Sequence, residues 1–385
     1  MLKIPPKIEY VLTELEKNGY EAYIVGGCVR DSLLGLAPHD YDVTTSAKPE
    51  EVISVFERTV PTGIKHGTVT VLVENEPVEV TTFRTEGEYT DSRRPDRVEF
   101  VTDIESDLSR RDFTVNAMAY NHSTGLKDYF GGVNDLNEKI LRAVGDPYKR
   151  FSEDALRILR LFRFASQLEF KIEEKTYEAA LDLAHNLENI SSERIFVELI
   201  KAVTGKNPTA IAPLLEGGGL DFLGFSKLMN FEELKSFSDN ENLCLCAFLF
   251  ATCQKPLDTL KKLKCSNSQY RYCENFLKLA KSPLPESKAD IKNALAKTER
   301  TAVCHWLLYL ENSADVSLLK KMLREIIENN EPYLISHLEI DGKALRELGF
   351  SGKQIGEKLE ALRSAVVVSP ELNTKEKLKE LAKNI

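Results

Sequence analysis

The sequence is poor in the groups that mark thiolate-metal, secreted or membrane-embedded proteins. It holds one Trp, four Met and six scattered His, too dispersed for the clustered ligands of a zinc site. Its seven Cys include no CxxC pair, which predicts reduced thiols and a cytoplasmic location rather than a disulfide framework. Cys244 and Cys246 sit inside the apolar run Leu243 to Phe250 and read as small core residues. No run reaches the about 20 apolar residues of a membrane helix, so no membrane association is expected. The opening MLKIPPKIEYVLTEL is broken by Pro5 and Pro6 and turns acidic, unlike a secretory signal. Basic charge is not in excess either. With 60 acidic against 51 basic residues and a net charge of −9, any contact with nucleic acid must use a local basic surface.

What is present is a chain of 385 residues, 42% hydrophobic and 29% charged, room for about two to three globular domains. Two textures divide it. From Glu21 to about Lys139, short runs such as AYIVGG, YDVTT, GTVTVLVE, PVEVTTFRT, RVEFVT and VNAMAYN carry the β-branched content and near-alternation of strands. Helical signals over Lys7–Asn18, Val29–Leu34 and Pro49–Phe56 punctuate them. After Pro147, helical periodicity takes over in Ser152–Glu169, Glu173–Asn186, Ser192–Thr204 and Asn293–Leu310. The expected class is α+β, a mixed sheet followed by stacked helices, with boundaries near Gly145, Lys206 and Asn330.

The strongest local signal is AYIVGGCVRDSLLG followed by HDYDV. A strand running into Gly26–Gly27 and then a helix lets the backbone approach a ligand closely, with free amides and Arg30 at the same mouth. Taken alone, a plain strand–turn–helix corner has the same pattern. The motif matches neither the dinucleotide fingerprint nor the lysine-bearing phosphate loop. Asp40 and Asp42 alter the balance, because i and i+2 in a strand project to one side. Two carboxylates that close repel unless a cation lies between them, and hard oxygen ligands suit Mg²⁺. Glu79, on the strand Val78–Phe83, is a weaker third carboxylate and equally a surface residue. The His39–Asp40 dipeptide also marks metal-dependent phosphohydrolases, but those need further His and Asp ligands on neighbouring helices, and this one opens a strand.

Two arginine-bearing segments follow. In SRRDFTVNAM, Ser109 to Met118, Arg111 beside a phosphate site would clamp phosphate oxygens bidentately; a solvated charge cluster is the other reading. In EDALRILRLFRFA, Glu153 to Ala165, Arg157, Arg160 and Arg163 recur every third residue with only apolar residues between them. On one continuous helix this stripe would wind over half the surface and the other half would be packed. Such arginines need anionic or hydrogen-bonding partners, either acids on another helix or a nucleobase edge accepted by Asp154 and donated to by Arg157.

At these residues the chain resembles the class II tRNA nucleotidyltransferases, the CCA-adding enzymes of the polymerase-β-like nucleotidyltransferase superfamily. The matching motifs, in the family's order, are GGCVRD with HDYDV, RRDFTVNAMAY, DYFGGVNDL at Asp128–Leu136, EDALRILRLFRFA, and ISSERIFVEL at Ile190–Leu199; the match of Ile340–Leu362 is weaker. The resemblance implies a head over 1–144, a base-reading helical neck over 145–205, and helical body and tail over 206–330 and 331–385 that bind tRNA. It implies Asp40 and Asp42 as catalytic Mg²⁺ ligands, with Gly27 and Arg30 on the triphosphate. Arg111 would serve the phosphates or ribose, and Asp112 the ribose. Asp154 and Arg157 would pair with the base of CTP or ATP, Glu153 would hold Arg157, and Arg160 and Arg163 would line the same pocket. The implied reaction adds C, C and A to the tRNA 3′ end, with no obligate protein partner. The polar segment Arg84–Val101 would be the family's flexible loop or merely a long hairpin connection. From the local clustering of charge, Lys261–Lys264, Arg271, Lys278, Lys281, Lys320, Lys321 and Arg324 are expected to lie on a concave helical face that grips the tRNA backbone, solvated helix faces being the other reading for any one of them. Gly352–Gly356 either places backbone amides and Lys353 near RNA phosphate or is a helix–turn–helix corner closing the tail's core, the second being the preferred reading. The competing readings are a poly(A) polymerase or a partial CC- or A-adding relative, and an inactive RNA-binding protein.

Overall fold

The computed structural model describes residues 2–86, 98–226 and 229–385, and residues 87–97 of the expected flexible loop lie outside them. The chain forms two compact units, Met1–Asp239 with Ala251–Lys264, and Asn240–Phe250 with Cys265–Ile385.

In the first unit, α1 (Pro6–Lys17) precedes β1 (Ala22–Val25), α2 (Gly27–Leu33), β2 (Asp42–Thr45), α3 (Pro49–Val55), β3 (Thr59–Gly63), β4 (Thr68–Val73) and β5 (Glu76–Thr82). The short strands β6 (Arg84–Glu86) and β7 (Val98–Phe100) pair with each other in antiparallel register, Arg84 opposite Phe100. Then come α4 (Ile104–Ser109), β8 (Met118–Asn121), β9 (Gly125–Asp128) and α5 (Gly132–Glu138). Seven strands form one sheet in the order β3-β4-β5-β2-β1-β8-β9, in which β2 and β5 run parallel and the other described neighbours antiparallel. Every residue of β1 is buried, because both faces are covered, and its unbroken AYIV run follows from that. One face packs Ile24, Val43, Val69 and Val80 against Val11 and Leu15 of α1. The other packs Tyr23, Val25, Phe83 and Ala119 against Ile104 and Leu108 of α4.

The helices α6 (Pro147–Glu153), α7 (Leu156–Leu168), α8 (Glu174–Asp182) and α9 (Ser192–Val203) complete the part of this unit that concerns the site. The expected continuous helix Ser152–Glu169 is therefore two helices broken around Asp154. Likewise α8 stops at Asp182 and a 3₁₀ turn, Ala184–Asn189, takes over what was read as helix to Asn186. In the second unit the expected helix Asn293–Leu310 is also two, Lys288–Lys297 and Arg300–Leu310. Thr298 leaves helical geometry there, and its hydroxyl bonds back to the Ala294 carbonyl at 2.9 Å, a local bond that competes with helix propagation. Cys244, Cys246 and Cys273 are fully buried. The tail closes its own core with Leu345, Leu362, Val366 and Leu378, and the Gly352 region is the corner between Gly342–Glu347 and Lys353–Val368.

Candidate active site

The site begins where β1 ends. Gly26 turns the chain at φ +79°, a backbone angle that favours glycine, and a Cβ there would stand 3.2 Å from Nη1 of Arg111, which would have to shift by a few tenths of an ångström. One helical turn on, Arg30 is buried and held by two acceptors: Nη1 donates to Asn116 Oδ1 at 2.6 Å and Nε to Asp31 Oδ1 at 2.8 Å. Strand β2 returns antiparallel so that Asp42 stands opposite Val25, the last residue before the glycine turn. Asp40 is not in the strand, which starts at Asp42, yet its charge still bears on Asp42. Lost hydration on burial pushes the Asp42 carboxyl up, the Arg111 guanidinium pulls it down, and Asp40 adds to the rise, which is the net direction. Such a pair of oxygen donors fits a hard dication that keeps water and phosphate oxygens as its remaining ligands. Glu79 precedes Val80, the register partner of Val43, and so shares the strand face of Asp42. Among the described residues, however, no three metal-ligating side chains converge.

The second half of the site is the break between α6 and α7. Asp146 caps α6 by accepting from the Tyr148 amide, with Pro147 at its first turn. At Asp154 the backbone is extended (φ −140°, ψ 103°). Its Oδ1 accepts from the Leu156 amide at 3.0 Å, a local turn that starts α7, and its Oδ2 accepts from Arg194 of α9 at 2.7 Å. Glu153 ends α6 and receives both Arg150 (2.7 Å) and Arg157 (2.8 Å) on Oε2. Arg157 is only 8% exposed and also donates to the carbonyls of Arg150 (3.0 Å) and Arg110 (2.9 Å). It is thereby tied to the segment that carries Arg111.

Comparison with known proteins decides the family. Residues 22–142 match the Poly A polymerase head domain, and residues 169–220 match the Probable RNA and SrmB- binding site of polymerase A. The CCA-adding enzyme of Ligilactobacillus salivarius is 39% identical over 412 residues, covering 99% of this chain and 98% of that protein. The chain belongs to the CCA-adding enzymes. Another member, from Enterococcus faecalis, is 53% identical over 207 residues, 54% of this chain and 51% of its own. The crystal structure of the Bacillus stearothermophilus CCA-adding enzyme in complex with CTP superposes with a TM-score of 0.84 at 31% identity, covering 99% and 98% of the two chains. Full-length relatedness to CCA-adding enzymes does not favour the poly(A) polymerase reading, although the head-domain description carries that name.

In this CCA-adding enzyme three of the expected residues, Arg30, Asp112 and Arg160, share one polar network. Arg30 bonds Asn116, Asn116 Nδ2 donates to Asp112 Oδ1 at 3.1 Å, and Asp112 Oδ2 accepts from Arg160 of α7 at 2.6 Å. The glycine corner and the arginine helix thus share a boundary. Three guanidiniums surround the Phe164 ring, Arg163 at 4.0 Å, Arg30 at 5.0 Å and Arg160 at 5.3 Å from its centroid. Arg163 turns to Glu198 of α9, 3.0 Å away. Its burial and the nearby Arg160 push it down to about 10, so it buttresses the cluster from the buried side. Sequence reading missed Asn116, Arg194, Glu198 and Phe164. Asn116 looks like part of a strand approach, and Arg194 and Glu198 like ordinary helix charges; their four-residue spacing, one helix face, was the available signal.

Burial alone would raise Asp112, but Arg160, Asn116 and Arg157 hold it down to about 2. A carboxyl titrating below its ordinary 3.8 stabilises the fold above that pH and loses the contribution as pH falls toward 2. Asp112→Asn is therefore expected to melt below wild type at neutral pH, with the gap narrowing below about pH 4 in acid melts. A constant gap would show that the charge of Asp112 is not what stabilises.

Proposed function

We propose that Asp40 and Asp42 are the catalytic carboxylates of this CCA-adding enzyme. Gly27, Arg30 and Arg111 would receive the triphosphate, Asp112 with Arg160 would bound the ribose side, and Asp154 with Arg157 would read the base. The reaction adds C, C and A to the 3′ end of tRNA from CTP and ATP without a nucleic-acid template. The 3′-hydroxyl gives up its proton to solvent as its oxygen forms a bond to the α-phosphorus, while the α–β bridging P–O bond breaks in line, releasing pyrophosphate. The observation that supports this reading is the Arg30–Asn116–Asp112–Arg160 chain, which joins the glycine corner to α7.

Asp40 and Asp42 would hold divalent ions, magnesium in this proposal, whose chemistry when bound is to neutralise charge on the attacking and leaving oxygens. The chain itself supplies position and fixed charge. Arg111 Nε is buried and has no hydrogen-bond partner among the described residues, while the guanidinium as a whole is partly exposed and suited to a phosphate oxygen. For the base, both Asp154 oxygens already face donors, so the carboxylate offers only acceptor capacity. It suits the exocyclic amino group shared by C and A, while an Arg157 N–H suits the ring nitrogen beside it. U and G present a carbonyl and an N–H at those places, leaving like facing like.

In this reading 1–144 form the catalytic head, 145–205 the base-reading neck, and 206–330 and 331–385 the tRNA-binding body and tail. Lys320, one of the proposed backbone contacts, is paired with Glu311 at 2.5 Å and would exchange that partner for phosphate. The free thiols of all seven cysteines fit a cytoplasmic location, and no helix among the described residues is long and apolar enough to cross a membrane. The deciding experiment offers Mg²⁺, a tRNA lacking its 3′ terminus, and CTP, ATP, UTP or GTP singly and in sequence. Two C and then one A are expected. Long A tails would overturn the specificity, and no incorporation would overturn the enzyme assignment.

A further inference from the structure

Asp107 of α4 was not among the residues singled out from the sequence, yet its side chain is fully buried and donors converge on both its oxygens. Oδ1 accepts from the Arg84 amide at 3.2 Å and from Arg110 through Nε (3.1 Å) and Nη2 (2.8 Å). Oδ2 accepts from Arg111 Nη2 at 3.2 Å. Burial pushes this carboxyl up, but Arg111 and Arg110 outweigh it and hold it below the usual range. The neighbours Ile104 and Leu108 fill the core on that face of the sheet, so packing alone does not call for a carboxylate here.

Each partner leads to the nucleotide site. Arg111 carries Nη1 to the Gly26 turn, and its charge acts on Asp42. Arg110 Nε also donates to the Arg84 carbonyl at 3.1 Å, and the Arg110 carbonyl accepts from Arg157 Nη2 at 2.9 Å. Arg84 opens β6, the described base of the hairpin. One buried carboxylate thus fixes the start of that hairpin, the guanidinium assigned to phosphate and, through a peptide carbonyl, the guanidinium assigned to the base.

We infer that Asp107 is a positioning residue for nucleotide selection, acting through Arg111 on the triphosphate and through Arg110 on Arg157; the inference rests on the roles proposed above for Arg111 and Arg157. In Asp107→Asn the shape is kept, but an amide N–H₂ would face either Arg111 or Arg110, donor against donor. In Arg110→Met the Asp107–Arg111 pair survives and only the arm toward Arg157 loosens.

The test measures three quantities on the full chain: kcat and KM for CTP and ATP on a tRNA acceptor, the C and A over U and G ratio of kcat/KM, and calorimetric binding of inorganic triphosphate, which has no base. Asp107→Asn is expected to raise both KM values and weaken triphosphate binding, each by about tenfold, and to lower the discrimination ratio by about tenfold, the weight of one charge-assisted hydrogen bond. Arg110→Met is expected to lower the ratio while keeping triphosphate binding within about twofold of wild type, less than one such bond. A lowered melting temperature with an unchanged ratio and unchanged triphosphate binding would overturn the inference in favour of a purely structural carboxylate. Arg157→Ala run alongside separates the two readings. Discrimination lost there but kept in Asp107→Asn overturns this inference alone, and discrimination kept in both overturns the base-reading assignment with it.

Discussion

Replacing Asp42 with alanine is expected to reduce nucleotide incorporation by about a thousandfold or more, on the order of 4 kcal/mol of transition-state stabilisation, while the protein stays folded. The loss is large because Asp42 stands opposite Val25 at the mouth of the glycine turn, where charge would develop on the attacking and leaving oxygens. The fold is expected to survive because Asp42 lies on the open side of its strand and its charged form is already disfavoured, first by lost hydration and then by Asp40, with Arg111 offsetting only part of it. The measurements are single-turnover addition to a tRNA lacking its 3′ end, in Mg²⁺, together with a thermal melt. Activity within twofold of wild type would remove the carboxylate assignment, and a collapsed melt would show that Asp42 is structural.

Arg157→Ala is expected to change which nucleotide is chosen more than how the chain folds. Three acceptors, Glu153 and the carbonyls of Arg150 and Arg110, hold the Arg157 guanidinium, so in the proposed role its remaining donors would meet the base without searching. A well-placed paired contact is worth about 1–3 kcal/mol of discrimination, which converts to about 5- to 150-fold in the ratio of kcat/KM for C and A over U and G. Some stability goes with it, about 1 kcal/mol, because two half-buried carbonyls lose a donor. Arg157→Lys keeps the charge but not the fork, and is expected to recover stability better than selectivity. Steady-state kinetics with the four triphosphates reads the outcome directly. A preserved preference for C and A in Arg157→Ala would dismiss a side-chain template.

The break at Asp154 shows where reading the sequence stops. Apolar residues continue through Ala155, Leu156 and Ile158, so periodicity runs straight across the junction. What ends α6 there is an Asx-type turn to Leu156 and a guanidinium 40 residues later in the chain, and neither leaves a periodic trace. The strands β3 and β9 were passed over for a related reason. They are short and half-exposed, and β3 lies at the sheet's edge with Pro61 inside it, so neither alternates cleanly. By contrast, the pairing of Glu153 with Arg157 was implied by the family resemblance of EDALRILRLFRFA, and the two side chains bond even across the break.

The order of amino acids alone determined the inventory: two closely spaced aspartates after a glycine turn, a run of arginines, strands in front and helices behind. Those features depend on neighbours a few positions apart, and local geometry has only a few periods. Only the tertiary structure decided which way each charge points. Asn116 reaches Arg30 across 86 residues, Arg160 reaches Asp112 across 48, and Arg157 reaches the Arg110 carbonyl across 47. A buried charge takes the orientation in which its partners satisfy it, and chain folding is what brings those partners within reach.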